Sequence, residues 1–120
     1  MPIPVPGHKV RGSRSGAPVM ALLDLLGRSW AMGIIWVLAE HGPCGFAELQ
    51  RRCETISPGV LSTRLKELLA TRLLAQEGSD YALSKRGRQL FGLIEPLGTW
   101  ARDWAHDLTG SRYPDQARKR

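Results

Sequence analysis

The stretch Gly45-Phe46-Ala47-Glu48-Leu49-Gln50-Arg51-Arg52-Cys53-Glu54-Thr55-Ile56-Ser57-Pro58-Gly59-Val60-Leu61-Ser62-Thr63-Arg64-Leu65-Lys66-Glu67-Leu68-Leu69 decides the fold. Phe46, Leu49 and Cys53 stand at i, i+3 and i+7, the apolar stripe of a short helix, and Cys53 to Ile56 breaks that period as a four-residue turn. Ser57 then supplies an N-cap oxygen for free backbone N–H groups, and Pro58 suits the first helical position, where its missing N–H removes no bond. Leu61, Leu65, Leu68 and Leu69 form the side of the second helix that is to be buried. Gly59, Ser62, Thr63 and Lys66, with Ala70 beyond them, form the opposite side. That side is small, polar and positive, the chemistry needed in the major groove of DNA.

Working outward, Val19, Leu22, Leu23 and Leu26 form one stripe of an earlier helix that Gly27 ends, and Trp30 to Glu40 is apolar almost all round. The second of these is a helix packed on several sides through Trp30, Ile34, Ile35, Val37 and Leu38, stopped by His41-Gly42-Pro43. Downstream, Leu73-Leu74-Ala75-Gln76 and Tyr81-Ala82-Leu83 flank Glu77-Gly78-Ser79-Asp80, which predicts a two-stranded hairpin. Ser84 caps a last helix whose apolar side is Leu90, Ile94, Leu97, Trp104 and Leu108, with a kink or break expected at Pro96. The class is therefore mainly α: a winged helix-turn-helix with three to four helices, a two-stranded β wing and a C-terminal dimerisation helix. Residues 1–17 read as a flexible basic arm, 18–108 as the DNA-binding and dimerisation domain, and 109–120 as a basic tail.

A chain of 120 residues suffices for one helical core. Its net charge of +6 is carried by the ends, since residues 19–110 hold ten Lys/Arg against ten Asp/Glu. Lys9, Arg11 and Arg14, or Arg118, Lys119 and Arg120, are either solubilising charges or arms that neutralise phosphates. Cys44 and Cys53 are too few for a disulfide scaffold, and Met1 to Gly7 lacks an export leader, so a cytoplasmic, nucleoid-associated protein is expected. The longest apolar run, Ala31 to Ala39, is too short for a membrane span. Three histidines at 8, 41 and 106 offer no convergent acid, base or nucleophile. Neither His41 with Cys44 nor the cysteine pair has closed zinc spacing, so no enzyme, cofactor or metal site is expected.

Double-stranded DNA is the expected partner, contacted by Ser57, Pro58, Gly59, Ser62, Thr63, Arg64 and Lys66. Ser62, Thr63 and Lys66 would face base edges, Gly59 would admit close backbone approach, and Ser57 with the helix N-terminus would hold a phosphate. The competing reading is an ordinary surface helix. Arg64, on the flank of the buried stripe, either reaches a phosphate or braces the domain through a carboxylate. Arg51 and Arg52 either contact phosphates or simply suit a helix C-terminus, while Lys85, Arg86 and Arg88 at a helix start point weakly to phosphate. Cys53 reads as a buried inert thiol rather than half of a switch. Leu22, Leu97, Trp100 and Trp104 form the expected homodimer seam, with packing inside one chain as the alternative. An effector pocket lined by Trp30 or Trp36 is a further option. A repressor acting as a homodimer on a pseudo-palindromic operator is the leading function; a winged helix used for protein contact is the rival.

Leu25-Leu26-Gly27-Arg28-Ser29-Trp30, Ile34-Ile35-Trp36-Val37-Leu38, Gly45-Phe46-Ala47-Glu48-Leu49, Ile56 to Leu65, Tyr81 to Leu90 and Leu97-Gly98-Thr99-Trp100 together resemble the HxlR-type transcriptional regulators, over about residues 17–104. The resemblance implies a winged-helix homodimer, formed largely by the first and last helices, that binds operator DNA. Ala17 stands where many members carry an oxidant-sensing cysteine, so that mechanism does not transfer. Ser29 replaces a common lysine and Gly45 a common arginine, with Arg28 as a candidate substitute for one phosphate contact. The short wing argues against deep minor-groove contact.

Overall fold

A computed structural model describes residues 3–11, 14 and 16–112. The elements in chain order are α1 (Pro18–Leu26), α2 (Ala31–His41), α3 (Phe46–Arg52), α4 (Pro58–Ala70), β1 (Leu74–Glu77), β2 (Asp80–Leu83), α5 (Lys85–Ile94) and α6 (Pro96–Thr109). This is the winged helix-turn-helix order, with six helices among the described residues where three to four were expected. The break at Pro96 accounts for part of the difference, because Glu95 both closes α5 and opens α6, and Pro96 takes the first position of the new helix.

The core is built from α2, α3, α4 and the wing, and its fully buried side chains are Ile34, Ile35, Leu49, Leu61, Leu65 and Leu68. Two caps predicted from sequence are present: Ser57 Oγ accepts the Val60 N–H at 3.2 Å and Ser84 Oγ accepts the Gly87 N–H at 3.0 Å. α4 ends in a left-handed turn in which the Arg72 N–H reaches the Leu69 carbonyl and the Leu73 N–H reaches that of Leu68, both at 3.0 Å. Arg72, at φ +66°, fills the position that glycine usually takes.

The wing is tighter than predicted. β1 and β2 pair antiparallel with Leu74 opposite Leu83 and Glu77 opposite Asp80, so Gly78 and Ser79 alone make the turn. β2 is tied down near the turn by reciprocal backbone bonds between Cys44 and Tyr81, of 3.1 and 2.8 Å. α5 lies so close behind β1 that a Cβ on Gly87 would stand 2.1 Å from the Leu73 carbonyl oxygen.

α1 has two different sides. Val19 and Leu23 of α1 are exposed and Leu22 and Leu26 half-buried, whereas Ala21, Asp24 and Leu25 face the core. Small Ala21 allows close approach, and buried Asp24 is held by Arg11, whose N–H and Nε lie 3.2 and 3.3 Å from its carboxylate oxygens. Residues 3–11 lie beside α1, with Pro4 and Val10 buried. Arg11 pairs with Asp24 there while most of its own side chain stays exposed. Arg118, Lys119 and Arg120 lie outside the described residues.

Candidate nucleic-acid interface

α4 presents the surface its sequence spacing predicts, with one shift. Ser57, Pro58, Gly59, Thr63, Lys66 and Ala70 are exposed, while Ser62 is half-buried. At about 100° per residue, Ser62 falls on the same edge of the helix as Leu69, seven positions on, so the apolar stripe partly covers it. In the first turn Pro58 has no N–H and that of Val60 goes to Ser57, which leaves the Gly59 N–H as the donor open to a ligand. A Cβ at Gly59 would meet nothing within 4 Å, so packing inside the chain does not require glycine there.

Arg64 resolves toward bracing. Its Nε donates to the Ser29 carbonyl at 2.7 Å, its Nη2 to Ser29 Oγ at 3.2 Å, and its Nη1 to Glu67 Oε1 at 3.2 Å. Arg28, expected as a substitute phosphate contact, is instead buried, with Nη1 2.5 Å from Glu67 Oε2. Glu67, which sequence reading passed over, is thus clasped by two guanidinium groups. The Arg64 to Glu67 spacing of three was a visible helical pair, but the link to Arg28, 39 residues away, was not.

The flanking cations divide. Arg51 pairs with Glu48, and Arg52 Nε lies 2.7 Å from Glu48 Oε2, which matches the reading of a solvated helix end. Arg88 donates to the Leu83 carbonyl at 3.0 Å, and Lys85 and Arg86 are exposed. The wing tip carries Glu77 and Asp80 beside Gly78 and Ser79, a carboxylate pair that phosphates repel. The exposed surface free of carboxylates therefore lies on α4 rather than on the wing tip.

Both thiols are buried, and burial pushes each above its ordinary pKa; Arg52 acts against this at Cys44, and at Cys53 the neighbouring Cys44 adds to it. At neutral pH this favours the protonated thiol over the thiolate that a sensor cysteine needs. No cluster of His, Cys, Asp or Glu able to hold a metal occurs among the described residues, nor any single helix long and apolar enough to cross a membrane.

α6 has no buried residue. Leu97, Trp100, Trp104 and Leu108 form an uncovered apolar stripe, with Trp100 63% and Trp104 52% exposed and their rings stacked at 6.0 Å. Packing inside one chain therefore does not account for the two indoles. Trp36, by contrast, is edge-on to Phe91 at 5.0 Å and donates its indole N–H to Glu40 at 3.0 Å. A cavity of about 370 Å³ opens between α2, the wing and α5, lined by residues including Leu38, Ala39, Leu83, Arg88 and Phe91; neither Trp30 nor Trp36 lines it.

Comparison with known proteins agrees with this geometry. Residues 25–109 match the family model described as HxlR-like helix-turn-helix. An HTH-type transcriptional regulator of Halalkalibacterium halodurans is 36% identical over 85 residues, covering 65% of this chain and 75% of that protein. The HTH-type transcriptional regulator YdzF of Bacillus subtilis is 33% identical over 91 residues, covering 70% and 84%. Among solved structures, quinone-bound YodB from B. subtilis superposes with a TM-score of 0.66 at 31% identity, covering 70% of this chain and 94% of that one. The chain belongs to the HxlR-like helix-turn-helix family of DNA-binding transcriptional regulators.

Proposed function

We propose that the protein is a cytoplasmic, homodimeric repressor that sets one α4 of each protomer into successive major grooves, about 34–36 Å apart, on a pseudo-palindromic operator. The observation that carries this reading is the pairing of two exposed surfaces on one small domain. One is the small, polar α4 face at Gly59, Thr63 and Lys66, and the other is the uncovered apolar stripe of α6. Leu97, Trp100 and Trp104, with Val19, Leu22 and Leu23 of α1, form the seam; such a stripe is stable in water when a second copy covers it.

In this reading Thr63 and Lys66 face base edges, Ser62 contributes from the margin, and Ser57, Pro58 and the Gly59 N–H receive a phosphate. Arg64 sets the position of α4 through Ser29 and Glu67 instead of touching a phosphate. The short acidic wing stays off the DNA. Affinity rests on phosphate neutralisation and falls steeply with salt.

Binding of Lys66→Ala and Thr63→Ala to a duplex site that the wild-type protein selects from a random-sequence pool tests the assignment. Each loss is expected to cost about 1–3 kcal/mol at the matched base while the dimer stays folded. Unchanged binding by both variants sinks it. The rival, a protein-contact module, predicts that no site is selected and that binding has no salt dependence.

A further inference from the structure

Glu67 lies in the recognition helix yet turns away from the surface that reads DNA. Its side chain is 9% exposed, and the Arg28 side chain that meets it is 7% exposed. One carboxylate oxygen accepts from Arg28 and the other from Arg64, whose remaining donors hold the carbonyl and hydroxyl oxygens of Ser29. Arg28 and Ser29 form the turn at which α1 and α2 meet at 82°, and the next residue, Trp30, is held at φ +69°. A side chain other than glycine rarely adopts that backbone conformation, so the surrounding bonds must fix it.

We infer that Glu67 is a positioning residue for DNA reading, a clasp that locks the recognition helix to the α1–α2 turn so that the pose of α1 sets the spacing of two recognition helices in a dimer. The inference rests on the proposed function, which places Val19, Leu22 and Leu23 of α1 in the seam. Leu61, Leu65 and Leu68 hold α4 by apolar packing, which fixes its buried side but favours no single partner group or angle of contact. Two hydrogen-bonded guanidinium groups on one carboxylate do have direction. Burying these charges carries a desolvation cost that offsets much of their attraction, so the gain lies in geometry more than in stability.

The test compares wild type, Glu67→Gln, and the apolar double replacement Arg28→Leu with Glu67→Met, which removes the charges while keeping side-chain volume near the original. Melting temperature, oligomeric state, and affinity for the wild-type-selected site and for random duplex are measured at one salt concentration, well below melting. The variants are expected to remain folded and to bind random duplex within about twofold of wild type, while affinity for the selected site falls at least tenfold. They should also tolerate insertion of one base pair between the half-sites, which wild type rejects; a purely stabilising contact would not change that preference. Retention of the wild-type affinity ratio and spacing preference overturns the inference, as does unfolding of both variants, which would assign the clasp to stability. If wild type selects no site, the proposed function fails and this inference with it; selection by wild type and variants alike removes only the inference.

Discussion

Replacing Gly59 with alanine separates stability from DNA binding, because the two respond in opposite directions. An added Cβ meets no atom within 4 Å, and Gly59 does not lie in the left-handed region, so alanine fits without strain. Glycine costs a helix interior about 1 kcal/mol relative to alanine and less in the first turn, so a gain of about 0.5 kcal/mol is expected. In a domain of this size that raises the melting temperature by about 2–4 °C. In the proposed DNA complex the same methyl group would stand beside the open Gly59 N–H, where the proposed pose sets the backbone against a phosphate. Overfilling a close contact costs about 1–3 kcal/mol, a loss of about 5- to 150-fold in affinity. Thermal melts followed by circular dichroism, with fluorescence anisotropy titration of a wild-type-selected duplex, read both quantities. A stabilised variant with undiminished affinity would show that DNA does not approach the start of α4, and a destabilised one would contradict the open space around Gly59.

Trp100→Glu combined with Trp104→Glu should halve the mass seen by light scattering, since each half-exposed indole has about 100 Å² left to bury, worth about 2.5 kcal/mol. A variant dimer of unchanged stability would move the seam elsewhere. Gly87→Ala should lower the melting temperature by about 10 °C or more, because the new carbon would stand 2.1 Å from a backbone oxygen that cannot swing aside; a wild-type melt would refute the close approach. Burial raises the pKa of Cys44 and Cys53 in the fold, so the folded state keeps protons that the unfolded chain releases. Stability in denaturant titrations should then be level below the ordinary thiol value of 9.0 and fall as pH rises above it. Rapid alkylation of the native protein at pH 7 would contradict the burial of both thiols.

The helices and the wing were legible in the sequence because each announces itself locally. Ser57-Pro58 and Ser84 mark helix starts, His41-Gly42-Pro43 marks an end, and Gly78 marks a tight turn, all through interactions a few residues long. The exposed side of α4 was legible too, apart from Ser62, because the helical period fixes which residues share a side. What covers α1 was not legible, for the converse reason. Its bulkiest stripe is Val19, Leu22 and Leu23, and periodicity finds apolar sides without telling whether the same chain covers them.

By itself, then, the sequence determined the mainly α winged helix, the exposed positions at Gly59, Thr63 and Lys66, and the burial of Cys53, since propensity, capping and period act within one or two turns. Tertiary structure alone decided that Arg28 and Arg64 serve Glu67, that Arg11 holds Asp24, and that Gly87 must be glycine. Each of these depends on segments distant in the chain being brought within a few ångströms. The energy of such pairs is set by burial and direction, quantities that come into being only when the core closes.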